Sequence, residues 1–508
     1  MFPWRLGLAQ LQGYCHDSNI PSHVNGDLSM AVLSQQMIRE IDARRMARSR
    51  EAARVWMVRI IFVLYWLLIF TGALRKWGFP QLQKPLFFIA VPFTVWLYGI
   101  SLMKNRWPRG FALLNFAYLL AGAAVLLIPV QMIIGHYALR YGIIAGYGWL
   151  NYFFYIPLTF IIAKEFKQDD VLRLLRHTLW IGIASAPLVA LQFMLPPGSV
   201  INAGNAANTA DQFNDLGSAL GHIRPGGFFS SSIGLQMFLA TLAIAILYGW
   251  IESSQNIVAR KPTLAFATMA LLSMLAFSGS RGAMLQVALV FAATSVAGII
   301  SHRRKLAIRT GVWPMLTVLV LVIFWPVVFP EAYDTFITRW NEAAAVSPFV
   351  GGIFGRALYP LYAWVYYLHT PFIGYLLGLG TNAAARLHWV HEPAAAYAWT
   401  GYGIWGRESG FAVHLVELGL VLGAGYIFFR IWFTLWLLIK VWKSTVRNHN
   451  PLALMLFSFA GELVLMGQIT VQGTVNGYTW IFLGVTLAAA KFSPVKNGDT
   501  SSPVRLER

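Results

Sequence analysis

Residues 271–289 read Leu271-Leu272-Ser273-Met274-Leu275-Ala276-Phe277-Ser278-Gly279-Ser280-Arg281-Gly282-Ala283-Met284-Leu285-Gln286-Val287-Ala288-Leu289. Two apolar runs abut, with only a Ser-Gly-Ser-Arg-Gly turn and one alanine between them. Followed outward, the runs cover about 262–280 and 283–300, each near the ~20 residues a helix needs to cross a bilayer's hydrocarbon core. The pair therefore reads as two spans joined by a tight hairpin, with the Arg281 guanidinium at or just below the membrane surface. An arginine costs ~2.5–3.5 kcal/mol at mid-membrane on insertion scales and less towards the edge. Either Arg281 snorkels to lipid headgroups, or it has a task at that surface.

The same pattern recurs along the chain. Apolar runs at about 55–74, 85–103, 111–134, 137–163, 172–195, 228–250, 262–280, 283–300, 311–329, 409–430, 452–472 and 475–491 predict about twelve transmembrane helices, an all-α polytopic membrane protein. Composition agrees. The 508 residues are 57% hydrophobic and only 12% charged, against about 25% charged in soluble domains. The net charge of +19 follows from membrane topology, which collects Lys and Arg in cytoplasmic loops, so no nucleic-acid partner is expected. The one cysteine, Cys15, excludes an intrachain disulfide and argues against a Cys-based metal site.

Alternating the connections from a cytoplasmic N-terminus places roughly 29 of the 39 Lys and Arg on the cytoplasmic side. That bias supports twelve spans with both termini inside. No cleavable signal peptide is evident. Arg39, Arg44, Arg45, Arg48, Arg50 and Arg54 precede the first span and hold the segment 1–54 in the cytoplasm; its helical part either lies on the membrane surface or is solvated. The expected organisation is 1–54 cytoplasmic, 55–329 carrying spans one to nine, a large external loop 330–408, 409–491 carrying spans ten to twelve, and a cytoplasmic tail 492–508. Connections as long as 330–408 are disproportionately functional.

The outside cations are exceptions to the positive-inside rule: Arg75, Lys76, Lys84, Arg140, Arg224, Arg281, Arg339, Arg356, Arg386 and Arg407. Arg224 stands in Arg224-Pro225-Gly226-Gly227-Phe228-Phe229, where the Pro-Gly-Gly turn drops the chain into the sixth span. Glu408, in Trp405-Gly406-Arg407-Glu408-Ser409-Gly410, stands at the mouth of span ten. Glu417 and Glu462 are the acidic residues of the later spans; Glu417 either has a function or hydrogen-bonds across helices. No phosphate loop, His-Glu-x-x-His or Gly-x-Ser-x-Gly is present. Asp211 and Asp215 lie in an Asn/Asp-rich stretch that reads as solvated loop, and no Asp-x-Asp or Glu-x-Asp pair stands in the first external loop. Metal-independent chemistry is expected, with no cofactor.

Three of these patches, Ser278-Gly279-Ser280-Arg281-Gly282, Arg224-Pro225-Gly226-Gly227-Phe228-Phe229, and Pro371-Phe372-Ile373-Gly374 leading to Glu408 and Glu417-Leu418-Gly419, resemble motifs of the bacterial O-antigen ligase and polysaccharide polymerase superfamily, in order and on the expected membrane side. Gly72-Ala73-Leu74-Arg75-Lys76-Trp77 is similar to a turn in members that work in exopolysaccharide assembly, with Thr71 where that pattern has Glu. Where ligases have a His as proposed base, this chain has Glu408, which points towards a polymerase. The resemblance implies a GT-C-like fold with a mainly helical periplasmic loop, in a bacterial inner membrane. It implies a glycan carried on undecaprenyl diphosphate and moved to a sugar hydroxyl of another lipid-linked unit, and other polysaccharide assembly and export proteins as partners. Arg281 and Arg224 would hold the departing diphosphate, because guanidinium is always charged and bonds phosphate bidentately. Glu408 would be the general base, with His414 and His391 as alternatives, and one-step attack would invert the anomeric centre. Arg75, Lys76, Arg339, Arg356 and Arg407 are further candidates for phosphate or acidic sugars. The loop aromatics, Trp340, Tyr359, Trp364, Tyr366, Tyr367, Trp389, Trp399 and Trp405, either stack on acceptor sugars or form an interfacial belt.

Overall fold

The computed structural model describes residues 26–134, 141–202, 219–252, 258–301, 323–346, 376–378, 410–470 and 473–492. The principal helices are α1 (Gly26–Ala73), α2 (Ala90–Met103), α3 (Ala112–Ile134), α4 (Tyr141–Trp149), α5 (Ile156–Glu165), α6 (Gln168–Met194), α7 (Ser232–Ile251), α8 (Lys261–Ser278), α9 (Arg281–Ile300), α10 (Pro330–Val346), α11 (Gly410–Asn448), α12 (Pro451–Met466) and α13 (Gly473–Ala489). Among the described residues there is no strand, only an isolated bridge between Ala219 and His222. Seven of the described helices are long and apolar enough to cross a membrane, and α2 and α12 are shorter apolar helices. The expected all-α membrane architecture is thus present in outline; most of the ninth expected span, 311–329, lies outside the described residues.

The chain divides into two units, 1–56 and 57–508. The described part of the first is helical and basic, and Arg54 donates to Glu51 one turn earlier at 3.0 Å. In the second unit α13 packs on α5 and α12, α6 on α8, α7 on α8, α9 and α6, and α11 on α12 and α3. Its centre is apolar and fully buried, including Tyr65, Phe238, Phe433 and Trp480.

The helix ends sort into two groups. At one end, the C-termini of α6 and α8 meet the N-termini of α7 and α9: Gln192 brackets Gly227, receiving its N–H at 2.7 Å, and Ser280 Oγ donates to Gln236 at 3.2 Å. At the other end Arg106 clasps Glu165 (2.9 and 2.5 Å), Lys491 bonds Ala163 O, Asn450 bonds Ala489 O and His449 bonds Ser301 O. This far end gathers the connections that the charge bias assigns to one side. The Glu165 side chain is fully buried, so Arg106→Ala takes from it two charge-assisted hydrogen bonds and leaves Lys491 as the nearby cation. We expect a loss of about 1.5–3 kcal/mol, read as a lower melting temperature in detergent; an unchanged melting temperature would remove the pair from the stability of this end.

Three expected spans are not single helices; in the run 85–103 a short helix, Gln83–Leu86, and a turn precede α2. The run 137–163 is broken: α4 ends in a π turn, Leu150–Phe154, and α5 restarts with a proline in its first turn. Pro157 has no N–H to give, and its ring tolerates only the opening of a helix. The run 409–430 is a hairpin. Gly419 has φ 76° and ψ 177° inside α11, and a methyl group at Gly423 would lie 2.6 Å from His414 O. In a continuous helix residues nine apart are separated by roughly 13 Å, so residues 410–418 fold back antiparallel along 420–448.

The break is held from outside. Gly378, also at positive φ (73°), lies so close that a Cβ there would meet Gly419 N at 2.4 Å. Gln131 Nε2 donates to both Leu377 O (2.6 Å) and Glu417 O (3.0 Å). A methyl group at Gly419 would fall 2.3 Å from Leu376 O. Gly419→Ala is therefore expected to cost at least ~2 kcal/mol through backbone strain alone, measured as reduced thermal stability or yield.

Candidate active site

The site end is built by close backbone approach. Ala73 N donates to Phe228 O at 2.9 Å, and a methyl group at Gly72 would come 2.1 Å from the Phe229 carbonyl carbon. Only glycine lets the end of α1 lie against the chain entering α7. This seats Lys76, in the π turn after α1, on the turn that follows Arg224: a Cβ on Gly226 would be 3.5 Å from Lys76 Nζ. Lys76 is 8% exposed, and its ammonium has no hydrogen-bond acceptor among the described residues.

The hairpin between α8 and α9 brings the next cation. Ser280 caps α9, its Oγ accepting from Ala283 N at 3.2 Å, and Arg281 is the first residue of that helix. Its guanidinium therefore adds to the positive end of a helix dipole. The Arg281 guanidinium carbon lies 5.1 Å from the Trp340 ring centre. The residue before Trp340 reaches the same turn: a Cβ on Gly279 would be 2.4 Å from Arg339 Nη1. Arg339 is buried and donates from Nη2 to His222 O at 2.8 Å, while its Nε and Nη1 have no acceptor among the described residues. Burial, then the charge of nearby Arg224, pull the Arg339 pKa down to about 10, and Glu342 opposes the shift.

Arg224 and Arg339 thus stand close enough to interact, with Arg281 and Lys76 on the turns beside them, from four separate stretches of chain. Like charges brought together and desolvated oppose folding. An anion that accepts from several of them offsets the repulsion and supplies the missing acceptors, and phosphate does so with charge-assisted, forked bonds. Arg75 is the charged neighbour of Lys76, while its Nε donates to Gln83 O at 3.0 Å and its guanidinium covers the Phe87 ring at 4.9 Å. Glu408, Arg356 and Arg407, with Arg140, Arg386, His391 and the loop aromatics beyond Trp340, lie outside the described residues.

No family model matches the chain, and no curated protein does.

Below the cations the hairpin of α11 encloses a polar chain that sequence reading grasped only in part. Arg430 is fully buried, donates to the carbonyls of Leu463, Val464 and Gly467 at the C-terminus of α12, and also meets His414 Nε2. A cation at the negative end of a helix dipole, with its donors filled, is a stable way to bury arginine. His414 Nδ1 is 3.0 Å from Tyr152 Oη, whose proton goes to Glu417 Oε2 at 2.7 Å. Arginine only donates, so Nε2 accepts and Nδ1 carries the proton. Both His414 nitrogens are engaged and the ring is 0% exposed, which removes it as an alternative base in this conformation. Glu417 does hydrogen-bond across helices. The signal for Arg430 was an arginine inside an apolar run, Phe428-Phe429-Arg430-Ile431-Trp432; Tyr152 gave none.

Proposed function

We propose that this chain is a membrane glycosyltransferase of the polysaccharide-polymerase kind. It moves a glycan from undecaprenyl diphosphate to a sugar hydroxyl of another lipid-linked repeat unit. The observation that carries the reading is the Arg224–Arg339 pair with Arg281 and Lys76 on the adjoining turns, and buried unsatisfied donors on Lys76 and Arg339. The departing diphosphate gains charge as the anomeric bond breaks, and fixed cations at that place lower the barrier. Arg281 and Arg224 contact its oxygens in this reading, Lys76 and Arg339 neutralise the remainder, and Glu408 takes the hydroxyl proton. Attack in one step inverts the anomeric carbon. The reading places the protein in a bacterial inner membrane with the cationic end periplasmic and both termini cytoplasmic. Transfer to another acceptor, as in a ligase, uses the same groups.

A transporter would place its site in the polar chain around Arg430, deep between helices. There, however, Arg430, His414, Tyr152 and Glu417 bond one another, which leaves that chain spoken for. The test is purified protein in proteoliposomes with undecaprenyl-diphosphate-linked repeat units, without nucleotide or divalent metal. The expected result is a ladder of longer glycans. Unchanged substrate, with the protein folded, would overturn the proposal.

A further inference from the structure

Arg224 and Arg281 stand on two turns, and each turn is tied to a neighbouring helix by a glutamine. Arg224 lies between two residues anchored on the C-terminal end of α6. His222 stacks on the Phe193 ring, with centroids 4.4 Å apart and planes 5° from parallel, and its Nδ1 is 2.9 Å from Phe193 O. Gln192, 0% exposed, holds Gly227 from both sides of its backbone. Its Oε1 accepts from Gly227 N at 2.7 Å, and its Nε2 donates to Gly227 O at 3.3 Å. That end of α6 is fixed in turn by Asn202, whose Nδ2 lies 3.1 Å from the carbonyls of Gln192, Leu195 and Pro196.

Gln236, in the second turn of α7, serves the other arginine. A hydroxyl has one proton to give. Ser280 Oγ gives its proton to Gln236 Oε1 at 3.2 Å, which turns its lone pairs towards Ala283 N, 3.2 Å away, and completes the cap of α9 beside Arg281. A Cβ on Gly282 would lie 2.6 Å from Gln236 Nε2, so a side chain there would push the amide off the turn. A neutral hydrogen bond adds little net stability. Elsewhere α7 meets α6 through Gly182 on Leu242, and α8 through Gly249 on Leu264, so these helices pack without amides. The two glutamines stand where an arginine-bearing turn has to be held. A donor aimed at developing charge acts only if its place is set before reaction, and a displacement of about 1 Å can cost about a hundredfold in rate.

We infer that Gln192 and Gln236 are positioning residues, Gln192 for Arg224 and Gln236, through Ser280, for Arg281. The inference rests on the proposed glycosyl transfer. Each glutamine acts by fixing the backbone from which one guanidinium reaches the diphosphate.

The test is a set of double-mutant cycles on glycan-ladder formation, with kcat and KM measured separately and melting curves alongside. Gln236→Leu and Ser280→Ala should each lower kcat about tenfold with little change in KM. Combined, they should lower it no further, because they break one link. Ser280→Thr keeps the hydroxyl and should retain most of the rate. Added to Arg281→Ala, Gln236→Leu should cost almost nothing more; added to Arg224→Ala, it should cost about tenfold again. Gln192→Met should show the reverse preference. A merely structural glutamine would lower stability and affect both arginine backgrounds alike. Wild-type kcat in Gln236→Leu or in Gln192→Met, or equal losses in the two backgrounds, would overturn the positioning role. Absence of a ladder from wild type would instead count against the proposed function; the same cycles are then read on affinity for bare undecaprenyl diphosphate, where loss of the pairing would overturn the positioning roles.

Discussion

Arg281→Ala and Arg224→Ala should each reduce glycan-ladder formation by at least about a hundredfold, the usual cost of removing one donor to a charge that develops in a transition state. Both side chains are partly exposed at the site end rather than in the core, so the variants should reach the membrane in normal amounts. Arg281→Lys should recover only a small part of the rate. Lysine keeps the charge but loses the fork, and it stacks less well against Trp340. Lys76→Met and Arg339→Met should show a milder loss of rate with weaker binding of undecaprenyl diphosphate. Rates are measured on purified protein with melting curves alongside. An Arg281→Ala variant that extends glycan at the wild-type rate would remove that residue from the mechanism.

Arg430→Leu is expected to be the most damaging single change to the fold. It strips the donors from the carbonyls of Leu463, Val464 and Gly467 and from His414 Nε2, all in a buried site. Taking one partner from a buried charged network costs about 3–5 kcal/mol, a large share of the stability of an ordinary domain. The reversal of α11 depends on the same contacts, since Arg430 ties 420–448 both to His414 and to the end of α12. The measurement is membrane-extracted yield and melting temperature against wild type. Wild-type stability would mean that the hairpin is held chiefly by Gln131 and the Gly378–Gly419 contact.

What the sequence revealed and what it hid have separate physical causes. Span positions are legible because a helix crossing hydrocarbon must be apolar over a fixed length, and α3, α6, α8 and α9 begin and end within a few residues of expectation. Direction is not legible in an apolar run. Residues 409–430 read as one span, yet the chain reverses at Gly419, and nothing in hydropathy separates a span from a hairpin of the same composition. Pro157 marked the α4–α5 break, but apolar residues on both sides masked it. Arg224 and Arg281 stood out because cations are scarce outside. That Lys76 would settle on Gly226, and Arg339 on Gly279, depended on contacts between segments distant in sequence.

The central claim is that Lys76, Arg224, Arg281 and Arg339 cradle a polyprenyl diphosphate. Electron cryo-microscopy of the protein in lipid nanodiscs with added undecaprenyl diphosphate tests it most directly. The account predicts density for the two phosphates within hydrogen-bond reach of the Arg224 and Arg281 guanidiniums, with Lys76 and Arg339 drawn onto the same group. Diphosphate density seated elsewhere, with these four side chains unchanged and apart from it, would contradict the account.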